Sequence, residues 1–438
     1  MESETTGLSS DIETYFRIYF NHLGTFAWDK AKEFSEKEKQ DFLPNPFQIA
    51  LTSLAHQEKL YYSLAFLEQK SWFGRRDSHR TAYLSLEASL RNIQQKESRD
   101  SDQQHEQDSA STTMYAICVQ LADFCSIRLS CIALYGQILK TLPSGSLDDI
   151  CSEINKIIEV SMKLSSELIK PLQESLHDEL NAVLSLLQSS QAISSWEYVN
   201  AVHNIQDVAS TIAKWKPILA KNQGSSLTFR SGFFGFGEKS SSNPTSALCN
   251  WMEKFFNFLI SKFTFYFYEN LSNTTSSEEM KSALSKLSFD FVSKSLNLVK
   301  KYDAKNISLV MDTRDLFIGP THGFTFTDPT DNPSLINPVQ DFTALLSLPQ
   351  SSSGDTFLFK SVLWTRMDEL QPDKLLCNLS EDKKSTFFLT QIENKIYLVV
   401  TFNGQRSEKD AHLLSYFNEA LQNLKLKRIA SLLKPGSK

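Results

Sequence analysis

The spacing of apolar residues changes once along this chain, and that change constrains the fold more than any other feature. Up to about residue 302 apolar side chains recur every three or four positions. In "DIETYFRIYFNHLG", Ile12, Tyr15, Phe16, Tyr19, Phe20 and Leu23 fall on one stripe of an α-helix. Ser9, Ser10 and Asp11 offer capping oxygens before it, and Gly24 supplies a stop. Beyond it the β-branched and aromatic runs begin. "NISLVMD" and "TFLFKSVLW" read as strands, and "STFFLTQ" and "KIYLVVTF" flank the short polar turn "IEN" as a hairpin.

The helical part continues with the charged "WDKAKEFSEKEKQ", broken at "LPNP" by Pro44 and Pro46. Further helices are predicted at about 47–69, 78–95, 113–142, 147–190, 195–222, 245–271 and 276–302, with Pro171 kinking or splitting the long fourth one. Residues 95–112 have no aliphatic side chain larger than alanine and no aromatic one, and predict a mobile linker. "RSEKDAHLLSYFNEALQNL" predicts a last amphipathic helix, with Ser407 as N-cap and Asp410 three residues on. The expected fold class is α+β and multidomain. An all-α helical bundle covers 1–228, a glycine/serine-rich joint 229–243, and an α+β domain 244–438, its antiparallel sheet carrying helices on one face.

Composition narrows the function classes. The chain has 438 residues, 41% apolar and 22% charged, which suits packed cores. A net charge of −6 argues against nucleic acid, whose recognition leaves a basic footprint. The amino terminus has no basic and apolar leader pattern. "FFNFLISKFTFYFY", read as the most apolar stretch, is too short to span a bilayer and carries Lys262. The chain is therefore expected in the cytoplasm. The six cysteines show no C-x-x-C spacing, and Cys118, Cys125 and Cys131 share one apolar helix as small hydrophobes. No metal, cofactor or catalytic residue is expected.

"SGFFGFGEKSS" approaches a phosphate-binding loop, with Gly232 and Gly237 at the right spacing. Glu238 stands where the lysine is required, and a carboxylate there repels phosphate. A joint anchored by Phe233, Phe234 and Phe236 is the expected role; a nucleotide-binding hydrolase using 232–240 is the alternative. Asp312 ends a strand with no second carboxylate at a diagnostic spacing, which fits an ordinary strand-end residue.

"SWFGRRDSHR" places Trp72 and Phe73 beside Arg75, Arg76 and Arg80 at a helix-to-helix corner. Gly74 and Asp77 already meet the needs of the turn. Aromatics and arginines together are the composition of binding hot spots, so these five are the candidate partner-binding residues.

The sequence resembles the linker subunit of the KICSTOR complex. The resemblance rests on "HLGTFAWDKAKEFSEKEK", "WFGRRDSHRTAYLSL", "KFTFYFYENLS", "EMKSALSK", "VKKYDAKNISLVMDTR", "STFFLTQ", "SEKDAHLLSYFNE" and "ASLLKPGSK", in that order and nearly end to end. It departs at 95–112, at the glycine loop and at 316–338. The resemblance implies a helical domain joined to an α+β domain and a non-enzymatic scaffold. Its implied partners are kaptin, an integrin-alpha FG-GAP repeat protein and one very large subunit. Through them it would hold the GATOR Rag-GTPase-activating complex at the lysosomal surface, so that TOR kinase is restrained when nutrients are scarce. Direct membrane insertion is not expected, a direct small-GTPase-binding module is a further alternative, and homo-oligomerisation is left open.

Overall fold

The computed structural model describes residues 2–37, 43–68, 78–101, 109–142, 146–224, 246–285, 287, 290–314, 341–371, 373–381 and 383–434. The chain divides into two compact units. One comprises Met1–Leu187, Gln206–Glu253 and Ala430–Lys438, the other Gln188–Ile205 and Lys254–Ile429.

The first unit is helical. Helix α1 (Glu2–Gly24) buries the expected stripe, with Phe16, Tyr19 and Phe20 fully enclosed. It starts earlier than the sequence suggested, so Ser9, Ser10 and Asp11 lie within it rather than cap it. Gly24 is its last residue, and glycine is needed there because a Cβ would overlap the backbone carbonyl of Pro171; the stop itself is Phe26, left-handed at φ 59°, with the amides of Phe26 and Ala27 bonded back to Leu23 and His22. Helix α2 (Trp28–Lys37) and α3 (Asn45–Tyr62) follow, α3 with proline in its first turn, where a missing N–H costs nothing. Helix α3 stops short of residue 69 because Leu64 takes a left-handed conformation (φ 59°) and a 3-10 turn, Ala65–Leu67, follows.

Helices α4 (Ser78–Ser101) and α5 (Ser109–Thr141) pack against each other and run into the expected linker from both ends. The backbone of 95–101 and 109–112 is thus helical, and 102–108 lies outside the described residues. The expected helix at 147–190 is two, α6 (Asp148–Ser161) and α7 (Lys170–Ser194), with Pro171 in the first turn of the second. Helix α8 (Tyr198–Gly224) carries Pro217 internally and belongs to this unit from Gln206 on, and α9 (Ala247–Tyr266) belongs to it only as far as Glu253, its remainder being part of the second unit.

The second unit is built on a five-stranded antiparallel sheet in the order β2-β1-β5-β4-β3. Before it come α10 (Tyr268–Thr274), α11 (Ser277–Ser285) and α12 (Phe291–Tyr302), so the two helices expected at 245–271 and 276–302 are four. Strand β1 (Ala304–Asp312) pairs with β2 (Phe342–Leu348) and β5 (Ile396–Asn403). Strand β4 (Ser385–Glu393) joins β5 by a two-residue turn and pairs with the short β3 (Leu376–Leu379). Strands β2 and β3 had no sequence expectation.

"TFLFKSVLW" is helical, inside α13 (Ser353–Arg366), and not a strand. Ser352 caps it by accepting from the Asp355 amide at 3.2 Å. Phe359 and Leu363, four apart, turn the same way and pack on Val310, Phe387, Leu389 and Val399 of the sheet. The phenylalanines at 357 and 359 imitated a period of two, but Phe357 is exposed. Burial is nearly continuous along β1, β4 and β5, and successive side chains of a strand face opposite ways. Both faces of the sheet are therefore covered, not one.

The last amphipathic helix is α14 (Ala411–Leu424), followed by α15 (Lys427–Leu432). Its N-cap is Asp410, which accepts from the amides of His412 and Leu413; Ser407 sits one turn too early.

Candidate functional site

Of the five residues of the expected partner-binding corner, the described residues include Arg80 alone. It is exposed in the first turn of α4. Trp72, Phe73, Arg75 and Arg76 lie outside the described residues, as does the glycine loop at 232–240.

The densest group of ionisable side chains is one the sequence reading did not assemble. Arg128, at the middle of α5, is wholly buried among α3, α4 and α7. Its Nε and Nη2 donate to Glu58 of α3 at 3.0 and 2.8 Å, and its Nη1 donates to Glu179 of α7 at 2.7 Å. Three tyrosine hydroxyls donate to these carboxylates, and that of Tyr62 accepts from Arg128 Nη2 at 3.4 Å. Tyr83 donates to Glu58 at 2.8 Å, while Tyr61 and Tyr135 donate to Glu179 at 2.5 and 3.0 Å. The guanidinium also lies 4.1 Å from the Tyr61 ring centroid.

Burial opposes the charge on Arg128, but Glu179 and Glu58 outweigh it and hold its pKa well above the ordinary value. Burial first, and the neighbouring carboxylates second, push the phenols of Tyr61, Tyr83 and Tyr135 far up. Every carboxylate oxygen in the cluster accepts a hydrogen bond. No solvent-facing group remains for a substrate, so the cluster serves packing: it ties four helices in one register.

A second buried charge lies in the sheet unit. Lys262 of α9 has no exposed surface. Its Nζ donates to Ser194 at 3.0 Å and pairs with Glu393, which also accepts from Tyr266 at 2.9 Å. Glu393 follows a bulge in β4, the register shifting between Gln391 and Glu393. Such an extra residue re-aims the side chain after it. At the end of β1, Asp312 takes Nε and Nη2 of Arg314 at 2.9 and 2.8 Å, the ordinary strand-end role expected of it.

Cys118, Cys125 and Cys131 are buried, as expected. Burial drives the Cys131 thiol up to about 12. Among the described residues no three His, Cys, Asp or Glu side chains gather as a metal site would require. The carboxyl-terminal segment is also packed: Leu424, Leu426, Ile429 and Leu433 are buried, and Lys425 and Lys427 both reach Asp373, at 3.0 and 2.8 Å.

Helix α5, rather than the stretch around Lys262, is the described helix long and apolar enough to cross a membrane, over Thr112–Thr141. Arg128 at its centre, ion-paired to two other helices, marks it as the core helix of a bundle.

A family model described as KICSTOR complex C12orf66 like matches residues 10–438 of this chain. A KICSTOR subunit 2 from Xenopus laevis is 30% identical over 446 aligned residues, covering 97% of each chain. One from Danio rerio is 29% identical over 442, covering 96% of this chain and 95% of its own.

Proposed function

The chain belongs to the KICSTOR complex C12orf66-like family, and on that premise we propose that it is a non-enzymatic linker subunit of KICSTOR. In this reading it assembles with kaptin, an integrin-alpha FG-GAP repeat protein and a very large subunit. Together they hold the GATOR Rag-GTPase-activating complex at the lysosomal surface and restrain TOR kinase when amino acids or glucose are scarce. The observation that carries the reading is the end-to-end match, which spans both compact units. A shared domain alone would match only part of the chain.

The structure supports a scaffold in one further way. Arg128 is paired with Glu58 and Glu179, and Lys262 with Glu393, so each buried charge joins separate elements of the fold.

The test is affinity purification of the tagged full-length chain from cells, with mass spectrometry. Recovery of the three other subunits, and loss of GATOR from lysosomes when the chain is deleted, is the expected result. Recovery of none of them overturns the reading. Arg75→Glu with Arg76→Glu probes the 72–80 corner: partner recovery should fall while the melting temperature stays within about two degrees, since surface changes cost under ~0.5 kcal/mol. Saturable ATP or GTP binding that Gly237→Ala removes would favour the hydrolase alternative.

A further inference from the structure

We draw no further inference here: the strongest candidate, the outer edge of the five-stranded sheet at β3 (Leu376–Leu379), which among the described residues pairs with β4 on one side only, carries none because nothing in the structure shows what covers it.

Discussion

Arg128 of α5 donates to Glu179 of α7 across 2.7 Å, 51 residues away in sequence, and neither side chain has exposed surface. This contact, with its counterpart to Glu58, is where the helical unit is most tightly specified. Removing one member of a buried ion pair costs about 3–5 kcal/mol, because the partner is left charged and unsolvated. Here two carboxylates would be stranded.

The first prediction is therefore that Arg128→Met lowers unfolding free energy by about 3–5 kcal/mol in urea denaturation. Tyr135→Phe, which deletes one of three donors to Glu179, should cost about 1–3 kcal/mol. A loss below 1 kcal/mol for Arg128→Met would mean the cluster is not holding the helices.

Alkaline pH should unfold the chain early. Folding raises the thiol of Cys131 from an ordinary 9.0 to about 12, and lifts the phenols of Tyr61, Tyr83 and Tyr135 well above 10.0. Above pH 9 the unfolded chain has released protons that the folded chain still holds. Stability is thus fully present below about pH 9 and falls as pH rises past it. A melting temperature that drops steadily from pH 9 to pH 11 is expected, and a flat profile would count against these burials. At pH 8 the buried thiols of Cys118, Cys125 and Cys131 should resist iodoacetamide until the chain is denatured, which peptide mass mapping reads directly.

Gly24→Ala should destabilise more than helix propensity suggests. Alanine improves a helix by up to ~1 kcal/mol over glycine, but its Cβ would overlap the carbonyl of Pro171, which is backbone and cannot swing away. A net loss of about 1–3 kcal/mol is the expected outcome by calorimetry. Stabilisation would show that α1 and the start of α7 are not in contact.

Binding to anionic liposomes should be absent at physiological salt. "LKLKRIASLLK" looks basic and amphipathic, but its leucines and isoleucine are largely buried and two of its lysines are held by Asp373. At about 1 kcal/mol for each cation near a charged surface, so short a basic run falls short of stable attachment. Co-sedimentation with phosphatidylserine vesicles would contradict this.

How much was legible in the sequence depended on whether the deciding contact was local. The α1 stripe and the β4–β5 hairpin read correctly because periodicity and turn residues are local signals. Strand β2, "FTALLSL", went unread because its evidence is its pairing with β1. Helix α13 was mistaken for a strand because Phe357 and Phe359 alternate over a span too short to separate the two periods. The ion cluster left one trace, a lone arginine inside the apolar "ADFCSIRLSCIAL". Its partners, at positions 58 and 179, are brought there only by the packing of three helices. The corner at 72–80 remains a sequence argument, carried into the structure by Arg80 alone.

The buried cluster around Arg128 has a consequence for inherited variation. A missense change at residue 58, 128 or 179 touches no candidate binding surface, yet it removes support from several helices at once. Cells clear marginal proteins in proportion to their unfolded fraction, so ~3 kcal/mol lost in the core becomes a fall in abundance. Carriers of such a change would show a shortage of the whole polypeptide, with every one of its associations reduced in parallel, whereas a change on the surface would spare its quantity and remove one association.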